Sequence, residues 1–307
     1  MTPDSLALWL SPGVLGLLGL CIGSFLNVVV HRLPRMMERQ WWRDVAAQLG
    51  DADSWQRVTG QAAPRPHAAT AQELERQLDG LGPLNLSRPA STCPRCGHRI
   101  RWHENIPLLS WLWLRGRCSA CTNPISWRYP AVELATGLLF AGAAWRFGPQ
   151  PVALAWCGVL AVLVAATLID WDTTLLPDSL TLPLLWAGLV AATLGWTLPL
   201  SNAVWGAVVG YLSLWSVYWL FKLATGKEGM GHGDFKLLAA LGAWLGWQAI
   251  LPIVLMSSVI GALVGIVLKL RGGLREGQAM PFGPFLAGGG VVVMLAGTAR
   301  VLGWIGQ

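Results

Sequence analysis

The chain has 307 residues, of which 54% are hydrophobic and only 12% are charged, and its mean hydropathy is +0.49. So little charge excludes a water-soluble globular domain of this size and indicates a polytopic membrane protein. The net charge of +6 is typical of a membrane protein that contacts anionic lipid, and it predicts no nucleic-acid partner.

Apolar runs of about the length that crosses a bilayer, roughly 20 residues, recur along the chain. They cover residues 7–30, 130–147, 151–170, 179–197, 202–223, 249–269 and 284–305, and a shorter run covers 235–247. The fold class predicted is therefore an all-α polytopic membrane protein of about eight transmembrane helices. The shorter run is either the eighth span or a partly buried helix. The first run has no basic residues before it and no small-residue cleavage site, so we expect a retained span and not a signal peptide.

The distribution of basic residues predicts the orientation. If the inside loops are 31–129, 171–178, 224–234 and 270–283, together with their flanks, only Arg146 and Arg300 of the 22 Lys and Arg residues lie outside. This asymmetry follows the positive-inside rule. The expected domains are a first transmembrane helix at 1–30, a cytoplasmic domain at 31–129 and a membrane core at 130–307.

The first half of the long polar segment carries no recognisable chemistry. Residues 36–45 predict a short helix at the membrane interface, with Trp41 and Trp42 at headgroup depth. Pro64 and Pro66 indicate a linker at 62–70.

The second half of this segment contains two CxxC pairs, Cys93 with Cys96 and Cys118 with Cys121. Four thiolates at this spacing can surround one Zn²⁺ tetrahedrally. The alternatives are two disulfides or four unlinked thiols, but a reducing cytoplasm disfavours disulfides. We therefore predict a structural zinc site, whose four sulfur ligands leave no position for a catalytic water.

Two aspartates at the edges of apolar runs are the candidates for catalysis. Asp170 ends the run 151–170, and Asp234 precedes the run 235–247. In the predicted topology both lie at the cytoplasmic ends of their helices, so they can form one site. A carboxylate at membrane depth is costly and usually functional, although either residue alone could simply cap a helix. Two carboxylates that meet can share a proton and activate a water, as in aspartyl proteases.

Several neighbouring residues are predicted to support this pair. Asp178 follows Pro177 and is expected at a helix N-terminus, where free N–H groups favour a carboxylate. Gly231 and Gly233 are expected to keep the loop before Asp234 open to an extended peptide. Lys236 either interacts with Asp234 or extends to the lipid headgroups.

These motifs together resemble the type IV prepilin peptidases, the GxGD membrane aspartyl proteases of bacteria. The matching segments are residues 23–27, the two CxxC pairs, 104–107, Asp170 with 175–178, 231–236 and 281–284. The resemblance implies that Asp170 and Asp234 are catalytic, and that prepilins and type II secretion pseudopilins are cleaved at the cytoplasmic face of the inner membrane. It also implies N-methylation of the new terminus by S-adenosylmethionine, an activity linked to Gly116. Residues 36–86 form a longer stretch than the resemblance leads us to expect.

Two other classes of protein fit part of the pattern. A transporter or channel could use the two aspartates as a proton or cation relay, with the zinc domain as a gate. A membrane scaffold could recruit partners through the zinc domain. The first class is disfavoured because there are no evident inverted repeats, and the second leaves Asp170 unexplained.

Overall fold

The computed structural model describes residues 3–271, 280–304 and 306, so residues 272–279 of the predicted inside loop 270–283 lie outside the described residues. In these ranges the regular elements are helices, with two isolated β-bridges and no strand, and the prediction of an all-α fold is confirmed. The α-helices are α1 Pro3–Trp9, α2 Pro12–Gly50, α3 Ala52–Thr59, α4 Arg65–Gly80, α5 Leu109–Trp113, α6 Arg128–Phe147, α7 Pro151–Thr173, α8 Asp178–Thr193, α9 Leu200–Thr225, α10 His232–Leu245, α11 Ile250–Leu270, α12 Gly283–Ala296 and α13 Thr298–Trp304. Short 3-10 turns lie at Trp102–Asn105 and Trp247–Ala249.

The number of helices that could cross a membrane is smaller than predicted. In the described ranges, α2, α7, α9 and α11 with its preceding 3-10 turn are long and apolar enough. Helices α12 and α13 make a fifth candidate if the pair, bent by 108°, is counted as one span. Helix α8 is apolar but has only 16 residues. The prediction of about eight spans is therefore not confirmed.

Helix α2 is much longer than the first apolar run. Its 39 residues correspond to about 58 Å at a rise of about 1.5 Å per residue, roughly twice the thickness of the hydrocarbon core. The predicted boundary between residues 30 and 31 is thus not a helix end, because the helix continues to Gly50. The separate interfacial helix expected at 36–45 is wrong for the same reason.

The stretch expected to be a linker is also mostly helical. Helix α4 begins at Arg65, directly after Pro64, and packs along α2. A proline at the start of a helix is favourable because its missing N–H would have no partner there. Pro66 therefore lies in the first turn of a helix and not in a loop.

Helix α10 lies at the centre of the membrane part and packs against α8, α9 and α12. All residues from Leu237 to Trp244 are buried. The approach of α9 is close, since a Cβ at Gly206 would collide with the backbone of Gly242. Small residues allow such backbone contact between membrane helices. The predicted run 235–247 is consequently a buried central helix that begins at His232.

Helices α2 and α6 form the second close pair. A Cβ at Gly19 would lie 2.7 Å from the Thr136 carbonyl oxygen, and one at Gly23 would lie 2.7 Å from the Cα of Glu133. The backbones can approach this closely only because both positions on α2 are glycines. This contact fixes α2 against α6, the helix that follows the cysteine segment.

Candidate active site

Asp170 lies in the last turn of α7, and its side chain is only 4% exposed. The C-terminal end of a helix is unfavourable for a negative charge. The N-terminus of another helix compensates for this unfavourable position. The backbone N–H of Gly283, the first residue of α12, donates a hydrogen bond of 3.0 Å to Asp170 Oδ2.

Asp234 lies in the first turn of α10 and is 6% exposed. Its Oδ1 atom is buried and has no hydrogen-bond partner within the described part of the chain. The two carboxylates are close enough to interact electrostatically. The structure thus brings together the two aspartates that the sequence analysis paired, although 64 positions separate them in the chain.

Leu176 packs between the segments that carry the pair. A Cβ at Gly233 would lie 2.6 Å from Leu176 Cβ, and one at Gly283 would lie 3.0 Å from Leu176 Cδ1 and 2.6 Å from Asp170 Oδ2. Side chains at either position would push the helices apart. Gly233 is therefore required by packing, and neither it nor Gly231 has a positive φ. Gly231 begins α10 as its N-cap residue and contacts Asp234 at an ordinary distance.

Lys236 pairs with Asp178 and not with Asp234. Its Nζ donates to both carboxylate oxygens of Asp178, at 2.6 and 2.7 Å. Asp178 lies in the first turn of α8 as expected, but its side chain makes no capping hydrogen bond, and Pro177 occupies the N-cap position. Both sequence-based interpretations of Lys236, as a neighbour of Asp234 or as a headgroup anchor, are therefore replaced by an ion pair that joins α8 to α10.

The four predicted cysteines converge, with all four Sγ atoms within 4.8 Å of one another. The Sγ atoms of Cys93 and Cys121 are 3.8 Å apart, and those of Cys96 and Cys118 are 4.0 Å apart. Sulfurs about 2.3 Å from a tetrahedral zinc are about 3.8 Å from one another. The cluster could therefore hold a metal ion, and its geometry fits zinc.

Two similar hairpins carry the cysteines. In the first, Cys93 N–H donates to the His98 carbonyl and Gly97 has φ +71°. In the second, Cys118 N–H donates to the Asn123 carbonyl and Thr122 has φ +57°. The backbone N–H groups of Cys96 and Arg95 lower the pKa of the Cys93 thiol to about 6. A thiolate is the form that binds metal.

Glu104 connects the two hairpins. Its carboxylate accepts a hydrogen bond of 2.8 Å from the N–H of Arg101 and lies 3.2 Å from His98 Nε2. The Arg101 N–H, with Ser119 and His98, lowers the pKa of Glu104 to about 2. Glu104 is therefore ionised at neutral pH and holds the 3-10 turn against the cysteine hairpins.

Gly116 lies immediately before the second hairpin and has φ +66°. A Cβ there would lie 2.9 Å from the ring of Trp111, whose Nε1–H donates to the Ile125 carbonyl. Gly116 thus positions Trp111, which lines a neighbouring cavity, but Gly116 itself is not part of that lining.

A cavity of about 720 Å³ lies between α2, α6 and the cysteine segment. Its lining includes Asn27 and Arg35 from α2, Glu104 and Trp111 from the segment, and Tyr129 and Glu133 from α6. Neither Asp170 nor Asp234 belongs to it. The cavity and the aspartate pair are therefore two separate features.

Sequence reasoning missed three contributions to these features. Gly283 was noted only as part of a matching motif, Glu133 was not considered, and Asp172 was not assigned a partner. Asp172 in fact pairs with Arg128 through both oxygens, at 2.9 and 2.7 Å. The sequence offered one signal for Glu133, its position within the apolar helix α6, because buried carboxylates are rare without a function.

The fold and the aspartate pair define a helical polytopic membrane protein with two interacting buried carboxylates near helix ends. Residues 17–147 match the bacterial peptidase A24 N-terminal domain, and residues 157–266 match the type IV leader peptidase family. No solved structure matches the chain.

Relatives cover nearly the whole chain. A prepilin leader peptidase/N-methyltransferase of Burkholderia pseudomallei (strain K96243) is 51% identical over 282 residues, 92% of this chain and 84% of the relative. A protein of the same name from Aeromonas hydrophila is 50% identical, over 94% of this chain and 92% of the relative. Another, from Pseudomonas putida, is 52% identical, over 91% of this chain and 88% of the relative. The chain belongs to the type IV leader peptidase family.

Proposed function

We propose that this protein is a membrane aspartyl endopeptidase and N-methyltransferase. It removes the basic leader of type IV prepilins and type II secretion pseudopilins, and then methylates the new N-terminal residue with S-adenosylmethionine. The protein acts at the cytoplasmic face of the bacterial inner membrane. The observation that carries the proposal is the buried, interacting pair Asp170 and Asp234 in a chain of this family.

Asp170 and Asp234 are proposed to act as one catalytic unit. The ionised member takes a proton from a water molecule, which attacks the scissile carbonyl, while the protonated member donates a hydrogen bond to the carbonyl oxygen. As the carbon–nitrogen bond breaks, the proton passes to the leaving amine. The two groups titrate as a coupled pair, so neither role is assigned to one residue alone.

The surrounding residues hold this pair in place. The Gly283 N–H fixes one oxygen of Asp170, which restricts the rotation of that carboxylate. Lys236 and Asp178 connect α10 to α8. Oδ1 of Asp234, which lacks a partner among the described residues, is available to a water or to the substrate. Gly231 and Gly233 let α10 begin close to Leu176.

We propose the division into a first membrane helix at 1–30, a cytoplasmic domain at 31–129 and a peptidase core at 130–307. Cys93, Cys96, Cys118 and Cys121 would bind one structural Zn²⁺, whose role is to hold the two hairpins together. Because four thiolates fill the coordination shell, the metal would not activate water.

The test uses the full chain purified in detergent with a prepilin, and measures leader loss by mass. Asp170→Asn and Asp234→Asn are each expected to abolish cleavage while the protein still inserts and remains monodisperse. Asp53→Asn, at an exposed position in α3, is the matched control and should cleave normally. Normal cleavage by either aspartate variant would remove that residue from the mechanism.

A further inference from the structure

The cavity of about 720 Å³ has the size and composition of a small-molecule site. Pockets for cofactors and ligands of drug-like size span about 300–1,000 Å³ and combine apolar walls with a few polar groups. Here the walls include Leu84, Ile100 and Leu114. Trp111 adds an aromatic surface on which a planar base could stack.

Glu133 is a buried carboxylate in this lining that the proposed peptidase mechanism does not use. It is only 8% exposed. One oxygen, Oε2, accepts a hydrogen bond of 2.8 Å from the Leu108 N–H, whereas Oε1 has no partner among the described residues. A buried carboxylate with a free oxygen favours a cationic group, because an unpaired buried charge is costly.

Arg35 provides the opposite charge in the same cavity. Its guanidinium makes no hydrogen bond or ion pair with any described residue, whereas Arg32, one turn earlier, is occupied with the carbonyls of Asn85 and Pro89. A free guanidinium is suited to bind a carboxylate. An amino-acid-like ligand with a nucleoside attached would match two of these features, with its carboxylate at Arg35 and its base at Trp111, and would leave Glu133 to a second, cationic reactant.

We propose that this cavity is the methyl-transfer site, which binds S-adenosylmethionine, and that Glu133 receives the ammonium group of the processed chain. The proposal rests on the proposed function and adds to it the location and the residues of the second reaction. In this proposal, methylation takes place at a site separate from the aspartate pair.

Methyl transfer begins at Glu133, which binds the new N-terminal ammonium and takes one proton, so that a neutral amine remains. The nitrogen lone pair then forms a bond to the methyl carbon as the carbon–sulfur bond breaks. The bonding electrons pass to sulfur, and S-adenosylhomocysteine and a methylated ammonium result. The proton held by Glu133 returns to water when the product leaves.

An ion pair links the edge of the cavity to the helix end that carries Asp170. Tyr129 lines the cavity, and the adjacent Arg128 is paired with Asp172, two residues beyond Asp170. This ion pair joins the start of α6, at the cavity, to the end of α7, at the aspartates.

Binding is tested by ultraviolet cross-linking of radiolabelled S-adenosylmethionine to the full chain, with the labelled peptides identified by mass spectrometry. Label is expected on peptides that line the cavity, first the one that contains Trp111. Ala90→Trp would fill the cavity and should reduce labelling at least tenfold, whereas Ala69→Trp, on the exposed face of α4, should not. Labelling confined to peptides outside the cavity would overturn the proposal.

Glu133→Gln tests the carboxylate separately. We expect unchanged leader removal and unchanged cross-linking, with kcat for methylation reduced about 10²-fold or more, the usual contribution of a general base. Glu73→Gln, at an exposed position in α4, is the control. Normal methylation by Glu133→Gln, or an equal loss of cleavage and methylation, would contradict its role.

The same assays distinguish failure of this inference from failure of the proposed function. A wild type that cleaves but neither cross-links nor methylates would refute the methyltransferase activity and this site with it. A wild type that methylates, with label elsewhere or with Ala90→Trp fully active, would refute the location alone.

Discussion

Each of the two aspartates depends on atoms that are remote in sequence. The sequence placed Asp170 and Asp234 at helix ends on one side of the membrane, which was sufficient to pair them. The sequence did not indicate that the Gly283 N–H would bind Asp170, because this contact joins positions 113 residues apart. The position of the Asp170 carboxylate thus depends on the start of α12.

Gly283→Ala should test this dependence. A Cβ would lie 2.6 Å from Asp170 Oδ2, so Asp170 must move, and a displacement of about 1 Å can cost roughly 10²-fold in rate. We expect leader removal to fall by about that factor, measured as the rate of prepilin cleavage in detergent. Gly288→Ala, where a Cβ meets nothing within 4 Å, should keep the wild-type rate. Equal rates for the two variants would show that Asp170 tolerates the shift.

The cysteines were predictable and the ion pairs were not, for a physical reason. The spacing within each CxxC pair brings its two sulfurs to one side of a tight turn, so the convergence of the four cysteines could be predicted from sequence alone. The partner of Lys236 lies 58 positions away on another helix, and a flexible lysine side chain can reach several carboxylates. Pairing with Asp178 therefore had to come from the structure.

Glycines determine which helices touch. On α9, Gly206 and Gly210 approach α10 so closely that side chains there would meet the backbone at Gly242 and Leu238. Similar contacts join α2 to α6. The sequence predicted the apolar helices. It contains many glycines that could lie between helices, however, and only the packed structure shows which helix each of them contacts.

Gly206→Ala is expected to destabilise the membrane core. Overpacking of a tight contact typically costs about 1–3 kcal/mol, and here the contacted atoms belong to backbone that cannot rotate away. We expect a lower folded yield and a lower thermal unfolding temperature in detergent, measured by size exclusion after heating. Gly158→Ala, on α7 with nothing within 4 Å, is the matched control. If the two variants behave alike, the α9–α10 contact is more adaptable than the structure indicates.

The segment that carries the cysteines has its own packing dependence at Gly116. Alanine at Gly116 would both strain a positive φ and press against Trp111, which lines the cavity. Gly60→Ala shares the positive φ, but nothing lies within 4 Å of its added Cβ. We therefore expect Gly116→Ala to reduce methylation about tenfold or more with little loss of cleavage. Gly60→Ala should change neither activity in the combined cleavage and methylation assay.

The cavity and the aspartate pair are separate features of the molecule, and this predicts unequal effects of metal loss. Cys93 and Cys118 line the cavity, whereas the aspartates lie on α7 and α10. Cys93→Ser is expected to release zinc, measured by elemental analysis, and to lower methylation more than cleavage. Cys21→Ser, at an exposed position in α2 outside the cluster, should retain the metal. Unchanged zinc content in Cys93→Ser would refute a site with four thiolate ligands.

The predicted number of spans differs from the observed helices because hydropathy does not show where a helix lies relative to its neighbours. The central helix α10 has 14 residues and is buried in protein, so it need not reach both faces of a bilayer. An apolar run of that kind has the same composition as a short span. Only the packing of α8, α9 and α12 around it distinguishes the two.

The unbroken helix α2 has a consequence for how the chain can change in length. A helix turns about 100° and rises about 1.5 Å with each residue, so one residue inserted near Pro34 would rotate Gly23 and Arg35 out of register with each other. The membrane contact with α6 and the cavity wall could not both be kept. Insertions are therefore expected to be tolerated where the chain turns, near Asp51 and at residues 60–64, and to be excluded from the stretch 23–35.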